Sequence, residues 1–464
     1  MKSRFSRRGL FQTIGGAGAL GLIGPGGAAR RAMAAPATNG SLNLTVKKVE
    51  RTWVNVPFRP VPQRNMIREL PHWTIFEICK VTLACGVVGF GETMQYYTWG
   101  TVPEEAVARV MEKNAAEHMW DDSLGCGLQM ALFDAVAKAA SVPLYRLLGS
   151  KVRDRGFVSW WAIDMPAEDW VLECKDAAAR GYTAFKTKAR PWWDLDDQCK
   201  ILMKSIPSYF WVNFDFNATL LDTTHAGRYL VEMEKYPQIQ IWESPIPQED
   251  VEGNRLLRSQ TKVPIAMHFG SPPIMTALRQ DVCDGFVIGG GASQVVGQSN
   301  VAAAADKPFF LELVGTGITA TYSLHFAAVL SHSRWSQVDC HMIYTHHMIK
   351  PGITIENGMA AVPEAPGLGV ELDEDAVARF RIEPLKVQPP SPPDLLLAIR
   401  FPSGSTSYYI NAEQYWADYH AARLPVFPKG VYLERIPDNG TREWKELRAK
   451  AAATGVVHTA GRPL

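Results

Sequence analysis

Three stretches decide the fold: Ala184-Phe185-Lys186-Thr187-Lys188, Trp211-Val212-Asn213-Phe214-Asp215-Phe216 and Ile239-Gln240-Ile241-Trp242-Glu243. Each is a short apolar run carrying charge at or near its C-terminal end. Working outward, runs of the same texture occupy Phe157 to Ile163, Val263 to His268, Gly285 to Ile288 and Pro308 to Leu313. Helix-like segments such as Ala167 to Arg180, Thr223 to Lys235 and Gln294 to Ala305 separate them. Apolar strands alternating with helices belong to a parallel sheet covered on both faces. At least seven such units predict a closed α/β barrel over an open doubly wound sheet, with the active site at the C-terminal strand ends.

Reading only those ends gives Lys186 and Lys188, Asp215, Glu243, His268, the loop Gly289-Gly290-Gly291, and Glu312. Successive members lie roughly 21 to 28 residues apart, about one beta-alpha unit. Asp215 and Glu243, on neighbouring strands, offer the oxygen ligands that a hard divalent ion such as Mg2+ takes. Lys186 and Lys188, two apart on a strand, share one barrel face. Two ammonium groups side by side lower each other's pKa, which makes Lys188 the candidate base and Lys186 the partner that stays charged. Glu312 is the candidate for a second proton-transfer group. The same spacing also fits a structural ion-pair cluster inside a barrel.

Upstream, Leu42 to Val49, Trp73 to Ala84 and Gly86 to Glu92 have the alternation of antiparallel strands, and Val102 to Gly149 turns to helix formers. Residues 42–155 therefore form an α+β domain ahead of a barrel at 156–355. Downstream, Pro389-Pro390-Ser391-Pro392-Pro393 marks a linker at 384–393. Residues 394–464 are a separate extension, whose Tyr and Trp side chains are expected to pack on the capping domain or on a partner subunit.

The chain has 464 residues, 48 Lys+Arg against 47 Asp+Glu, and is 47% hydrophobic, the composition of a globular protein. Lys2, Arg4, Arg7, Arg8, Arg30 and Arg31 all fall in residues 1–34, which hold no acid. The remainder carries a net charge of about −5, so no electrostatic case exists for nucleic acid or an anionic membrane surface. Ser6-Arg7-Arg8-Gly9-Leu10-Phe11, a Gly-rich apolar stretch and Ala32-Met33-Ala34 read as a twin-arginine export signal over 1–34, which predicts a periplasmic or extracellular protein. No other run is long and apolar enough for a membrane span in the mature protein. Seven scattered cysteines without a C-x-x-C pair argue against a disulfide framework or zinc cluster.

The chain resembles the enolase superfamily, nearest its mandelate racemase and muconate lactonizing enzyme branch. The matching stretches are Gly86-Val87-Val88-Gly89-Phe90-Gly91-Glu92-Thr93, Met130 to Asp134, Val142 to Gly149, Gly181 to Lys188, Asp215-Phe216-Asn217, Glu243-Ser244-Pro245 and Pro366 to Glu371. The resemblance implies a modified (β/α)7β TIM barrel with an N-terminal α+β capping domain, and a return segment at 356–383. It also implies Mg2+ stabilising an enediolate formed when a base removes a proton alpha to a carboxylate. Asp215 and Glu243 match the first two metal ligands, and Lys188 matches the base.

Two departures bear on function. Where the family places a third carboxylate, this chain has Pro264-Ile265-Ala266-Met267-His268. His268 is either a ligand, which would favour another divalent ion, or a structural histidine. Where the racemase has a His-Asp pair, this chain has Glu312 and glycine near Gly289, and Asp284 precedes its strand, so racemase chemistry does not carry over. Substrate contacts are expected from Asn217 and from two capping loops. One loop contains Arg59, Arg64, Arg68 and His72, and the other Tyr96, Tyr97 and Trp99; either arginine grips a carboxylate and aromatic faces stack on a sugar, or these are rim residues that hold the loops in place. Trp160, Trp161, Trp192 and Trp193 read as packing residues. The leading expectation is an exported dehydratase acting on a small sugar acid or hydroxy acid, as a homo-oligomer. An epimerase, and a degenerate barrel that binds a carboxylate or sugar without turnover, are the alternatives.

Overall fold

The computed structural model describes residues 42–97 and 101–460; the leader expected at 1–34 and Trp99 lie outside them. Strands β1 (Val46–Asn55), β2 (Ile75–Leu83) and β3 (Val88–Met94) form an antiparallel sheet. The helix Cys126–Ala139 lies across it. Gly89 permits that close approach, because a Cβ there would collide with the Ala131 carbonyl oxygen. The helix is buried on nearly every side, which its Ala/Leu/Phe composition supports.

A short strand β4 (Arg155–Phe157) pairs antiparallel with Met359–Ala361. The barrel strands follow: β5 (Trp160–Ala162), β6 (Ala184–Lys188), β7 (Trp211–Asp215), β8 (Ile239–Glu243), β9 (Ile265–His268), β10 (Gly285–Ile288) and β11 (Phe309–Leu311). They form one parallel sheet in chain order. The run expected at Phe157 to Ile163 thus divides between two sheets, since Phe157 pairs with Met359 while Trp160 pairs with Phe185. The gap between β11 and β5 is closed by residues 333–338. Ser333 bridges Phe309, Val338 bridges Glu312 and Gln337 bridges Val158, all in parallel. This eighth, irregular strand completes the modified (β/α)7β barrel.

Two devices join the capping domain to the barrel. Arg381–Ile382 returns after the helix Glu374–Phe380 and pairs with β1, Trp53 opposite Ile382. Glu92 on β3 is fully buried and accepts the Thr316 N–H at 2.7 Å, the Thr316 hydroxyl at 2.6 Å and the Thr319 N–H at 2.9 Å. It therefore meets the positive end of the helix Gly317–Val329. Burial pushes its carboxyl above the ordinary range, against those donors.

Beyond the proline-rich segment, a four-stranded antiparallel sheet runs in the order Tyr432–Pro437, Leu395–Arg400, Thr406–Tyr409, Val457–Thr459, accompanied by helices Ala412–His420 and Arg442–Thr454. It seats on barrel loops and, as expected of its Tyr and Trp side chains, on a loop of the capping domain. Trp192 and Trp193, just beyond β6, share a core with Tyr409, Tyr415 and Tyr419. The Trp192 and Tyr415 ring centroids are 4.4 Å apart, and the Tyr419 hydroxyl donates to the Thr219 carbonyl beyond β7. The capping loop contributes Glu69, which accepts from the Tyr415 hydroxyl and the Trp416 indole. No helix among the described residues is long and apolar enough to cross a membrane. All seven cysteines are free thiols.

Candidate active site

Period-two alternation points Lys186 and Lys188 into the barrel. Register then sets their neighbours: Lys188 lies beside Asp215, Asp215 beside Glu243, and Val287 beside His268. Glu312 follows β11 directly. Lys188, Asp215, Glu243, His268 and Glu312 thus stand around one mouth, and Lys186, level with Asn213, sits a layer below.

The charges divide into two groups. Lys188, 16% exposed, is paired with Asp215 Oδ2, while Asp215 Oδ1 accepts the Asn217 N–H at 2.8 Å. Burial would raise the Asp215 pKa, but Lys188, Lys186 and Arg190 outweigh it and hold the carboxyl well below its usual range. In the second group, the Lys186 ammonium lies 2.6 Å from Glu243 Oε2, 3.6 Å from Glu312 Oε1 and 4.8 Å from the Phe310 ring centre. His268 Nε2 is 3.4 Å from Glu243 Oε1.

These neighbours reverse the expectation that Lys186 would have a lowered pKa. Burial pulls it down, yet the carboxylates of Glu243, Glu312 and Asp215 prevail, and its pKa lies above that of free lysine. The His268 pKa is raised too: desolvation opposes the charge, but the Glu243 contact, with Glu312 and Asp215 nearby, favours it. Glu312 shifts down, since Lys186, His268 and Lys188 overcome its burial. A carboxylate held ionised in this way suits binding a cation better than delivering a proton.

A pocket of about 310 Å3 opens beside this cluster, lined by Tyr97, His268, Phe269, Val287, Gly289, Gly290, Gln294, Gln298 and Glu312. Tyr97 packs edge-on against Trp73 at 5.0 Å, and burial, then the Glu312 charge, lifts its phenol well above the usual range. The glycine loop leaves room: at Gly290, with φ of 114°, a side chain would run into Gln294.

Other residues expected at the site are engaged elsewhere. Arg59 donates to Glu173 at 2.6 Å and Asp176 at 3.0 Å and lies over Trp160, while Arg64 donates through Nε to Asp169 at 2.9 Å. Both guanidinium groups therefore fasten the capping loop to the helix Ala167–Ala179. Arg68 is buried against Asp164, the Tyr96 hydroxyl donates to the Leu385 carbonyl, and His72 meets Gln388. Asn217 stands beside Asp215, but its Oδ1 accepts from Arg190 at 2.7 Å. Asp284 accepts from Arg258 and the Ile265 N–H at the opposite strand end.

Sequence reasoning passed over Arg190, Gln294, Gln298 and Cys340. Arg190 extends the Lys186, Lys188 spacing by two, donates to the Asp215 carbonyl at 3.3 Å and lies 5.0 Å from the Trp416 ring centre. Gln294 and Gln298 are four apart on the helix that follows the glycine loop. The buried Cys340 lies two residues beyond the eighth strand, and burial, then the Glu312 charge, lifts its thiol well above the ordinary value. No local pattern announced it.

Comparison with known proteins agrees with this geometry. Residues 169–376 match the family described as Enolase C-terminal domain-like. The chain belongs to the enolase superfamily. Within the superfamily it falls in the mandelate racemase and muconate lactonizing enzyme branch. It is 25% identical over 298 residues to the D-gluconate dehydratase of Thermoproteus tenax, a match that spans 56% of each chain. It is 23% identical over 369 residues to muconate cycloisomerase 1 of Rhodococcus opacus, covering 72% of this chain and 98% of that one. The solved muconate cycloisomerase from Pseudomonas fluorescens superposes with a TM-score of 0.61 at 20% identity, over 73% of this chain and 99% of that one, which shows the shared fold.

Proposed function

We propose that the protein is a lyase that removes the proton alpha to the carboxylate of a small hydroxy acid or sugar acid and expels the beta-hydroxyl as water. The observation that carries this reading is the pairing of Lys188 with Asp215 in a charged cluster with Lys186, Glu243 and Glu312, beside a pocket lined by Glu312 and His268. The D-gluconate dehydratase among its relatives supports the same class. Lys188, paired as an ammonium with Asp215 at rest, gives up one proton to solvent and as the free amine takes the alpha proton, and the electron pair of that C–H bond moves toward the carboxylate. The buried Lys186 ammonium faces the charge that develops there. The new Lys188 ammonium, on the same face, returns its proton to the departing hydroxyl while the C–O bond breaks, so one residue balances the elimination.

A divalent cation, when bound, would supply Lewis-acid stabilisation of that developing charge. The residues fit one: Glu243 is 2% exposed and neither of its carboxylate oxygens accepts a hydrogen bond. Tyr97, Gln294 and Gln298 give the pocket a neutral polar wall, which suits hydroxyl groups better than a second carboxylate. The reading includes export through the leader at residues 1–34, tested by finding the processed protein in a periplasmic or extracellular fraction.

The chemical test incubates the full chain, with divalent cations, against five- and six-carbon aldonic acids and detects the 2-keto-3-deoxy product. At least one acid should be dehydrated, and Lys188→Ala should lower that rate by roughly 10² to 10⁴. Dehydration of no acid in the panel would contradict the lyase reading.

A further inference from the structure

The two carboxylates at the barrel mouth that would first be taken as metal ligands are not equivalent. Both oxygens of Asp215 already have partners, the Asn217 N–H on Oδ1 and the Lys188 ammonium on Oδ2. Glu243 has none that qualifies as a hydrogen bond on either oxygen, and Oε2 of Glu312 has none. The Lys186 ammonium, 2.6 Å from Glu243 Oε2, forms an ion pair with it but lies off the hydrogen-bonding direction. One ammonium shared between two buried carboxylates leaves acceptor positions on both open, which a further cation would fill.

Ligand atoms of Glu243, His268 and Glu312 all lie within 4.8 Å of one another. Bonds of about 2 Å to a single ion place ligand atoms roughly 3 to 4 Å apart, so a small contraction closes the set. Charge agrees: Lys188 neutralises Asp215, Lys186 offsets one of the two glutamates, and one negative charge remains to attract an ion.

We propose that Glu243, His268 and Glu312, rather than Asp215, hold a divalent cation at the mouth. The imidazole in that set selects a first-row transition ion such as Mn2+, Co2+ or Zn2+ over the Mg2+ that the family resemblance implies. Asp215 is left to position Lys188. This deepens the reading of the mouth as the reaction site, and its test needs no substrate, so the two fail separately.

The experiment is calorimetric titration of the full chain with Mn2+ and Mg2+, together with pulsed EPR of the Mn2+ form. Mn2+ should bind roughly 10-fold or more tighter than Mg2+, with a nitrogen hyperfine coupling from the imidazole. His268→Gln should abolish that coupling and, like Glu312→Gln, weaken Mn2+ by about 10-fold or more, while Asp215→Asn leaves Mn2+ affinity nearly unchanged. Binding lost in Asp215→Asn but retained in Glu312→Gln would overturn the proposal. So would a preference for Mg2+, absence of the nitrogen coupling, or no ion bound at all. The His268 side chain is 46% exposed, so its replacement should leave the fold intact, and the coupling decides the matter if the buried Glu312 variant fails to fold.

Discussion

Replacing Arg68 by methionine should loosen the C-terminal domain from the barrel mouth. Arg68 is 1% exposed and its guanidinium lies 2.6 Å from Asp164, which is fully buried. The same Asp164 oxygen accepts the Trp192 and Trp193 indole N–H groups at 2.8 and 2.7 Å, and the Tyr415 hydroxyl is 3.3 Å from Arg68 Nη1. Burial opposes the Arg68 charge, but Asp164 outweighs it, so its pKa moves up rather than down. Methionine keeps the apolar stem and strands the carboxylate. Breaking a buried pair from one side costs about 3 to 5 kcal/mol, and the two remaining indole donors place this case near 3 kcal/mol. Urea unfolding followed by tryptophan fluorescence reads the loss, with limited proteolysis locating the first opening in residues 394–460. Arg68→Met with Asp164→Asn, which removes the stranded charge, should recover more than half. A loss below about 1 kcal/mol in the single variant, or a double variant no better than the single, would refute the reasoning.

Removing residues 389–464 should do more than alter access to the pocket. Trp192 and Trp193, now 1% and 5% exposed, would face water, so the truncated chain should aggregate or melt at lower temperature; a soluble monomer with unchanged Tm would count against this. Asp339, fully buried beside Gln337 and Ser323, has its carboxyl pushed up to about 8 by burial. A raised carboxyl pKa means that the folded state holds a proton which the unfolded chain has lost. Stability should therefore fall as pH rises from about 4 toward 8, by about 1.4 kcal/mol per unit for this group alone. Asp339→Asn should flatten that limb of the stability profile measured by denaturation, and an unchanged slope would remove Asp339 as its source.

The barrel was legible in the sequence because apolar runs buried on both faces and capped by charge have few other uses. Lys188, Asp215, Glu243, His268 and Glu312 lay at equivalent strand ends, so their common mouth could be read as well. Their partners could not. Two lysines on one strand suggest mutual repulsion, whereas the carboxylates that reverse the shift on Lys186 arrive from β7, β8 and the end of β11. Arg59 and Arg64 looked available because Glu173 and Asp169 lie more than a hundred residues away. The eighth strand escaped because Ser333 to Val338 is polar and makes only isolated bridges. Pro389 to Pro393 announced a separate extension, but its seat on Trp192 and Trp193 follows from side-chain packing that no local pattern encodes.

The central claim is that Lys188 abstracts the proton alpha to a carboxylate, and proton NMR in D2O tests it most directly. An aldonic acid that the protein accepts should lose its alpha-proton signal or appear as a 2-keto-3-deoxy product. Lys188→Ala should show neither above a background reduced by roughly 10² to 10⁴, while retaining its fold and cation affinity. Full exchange or turnover by Lys188→Ala would contradict the account.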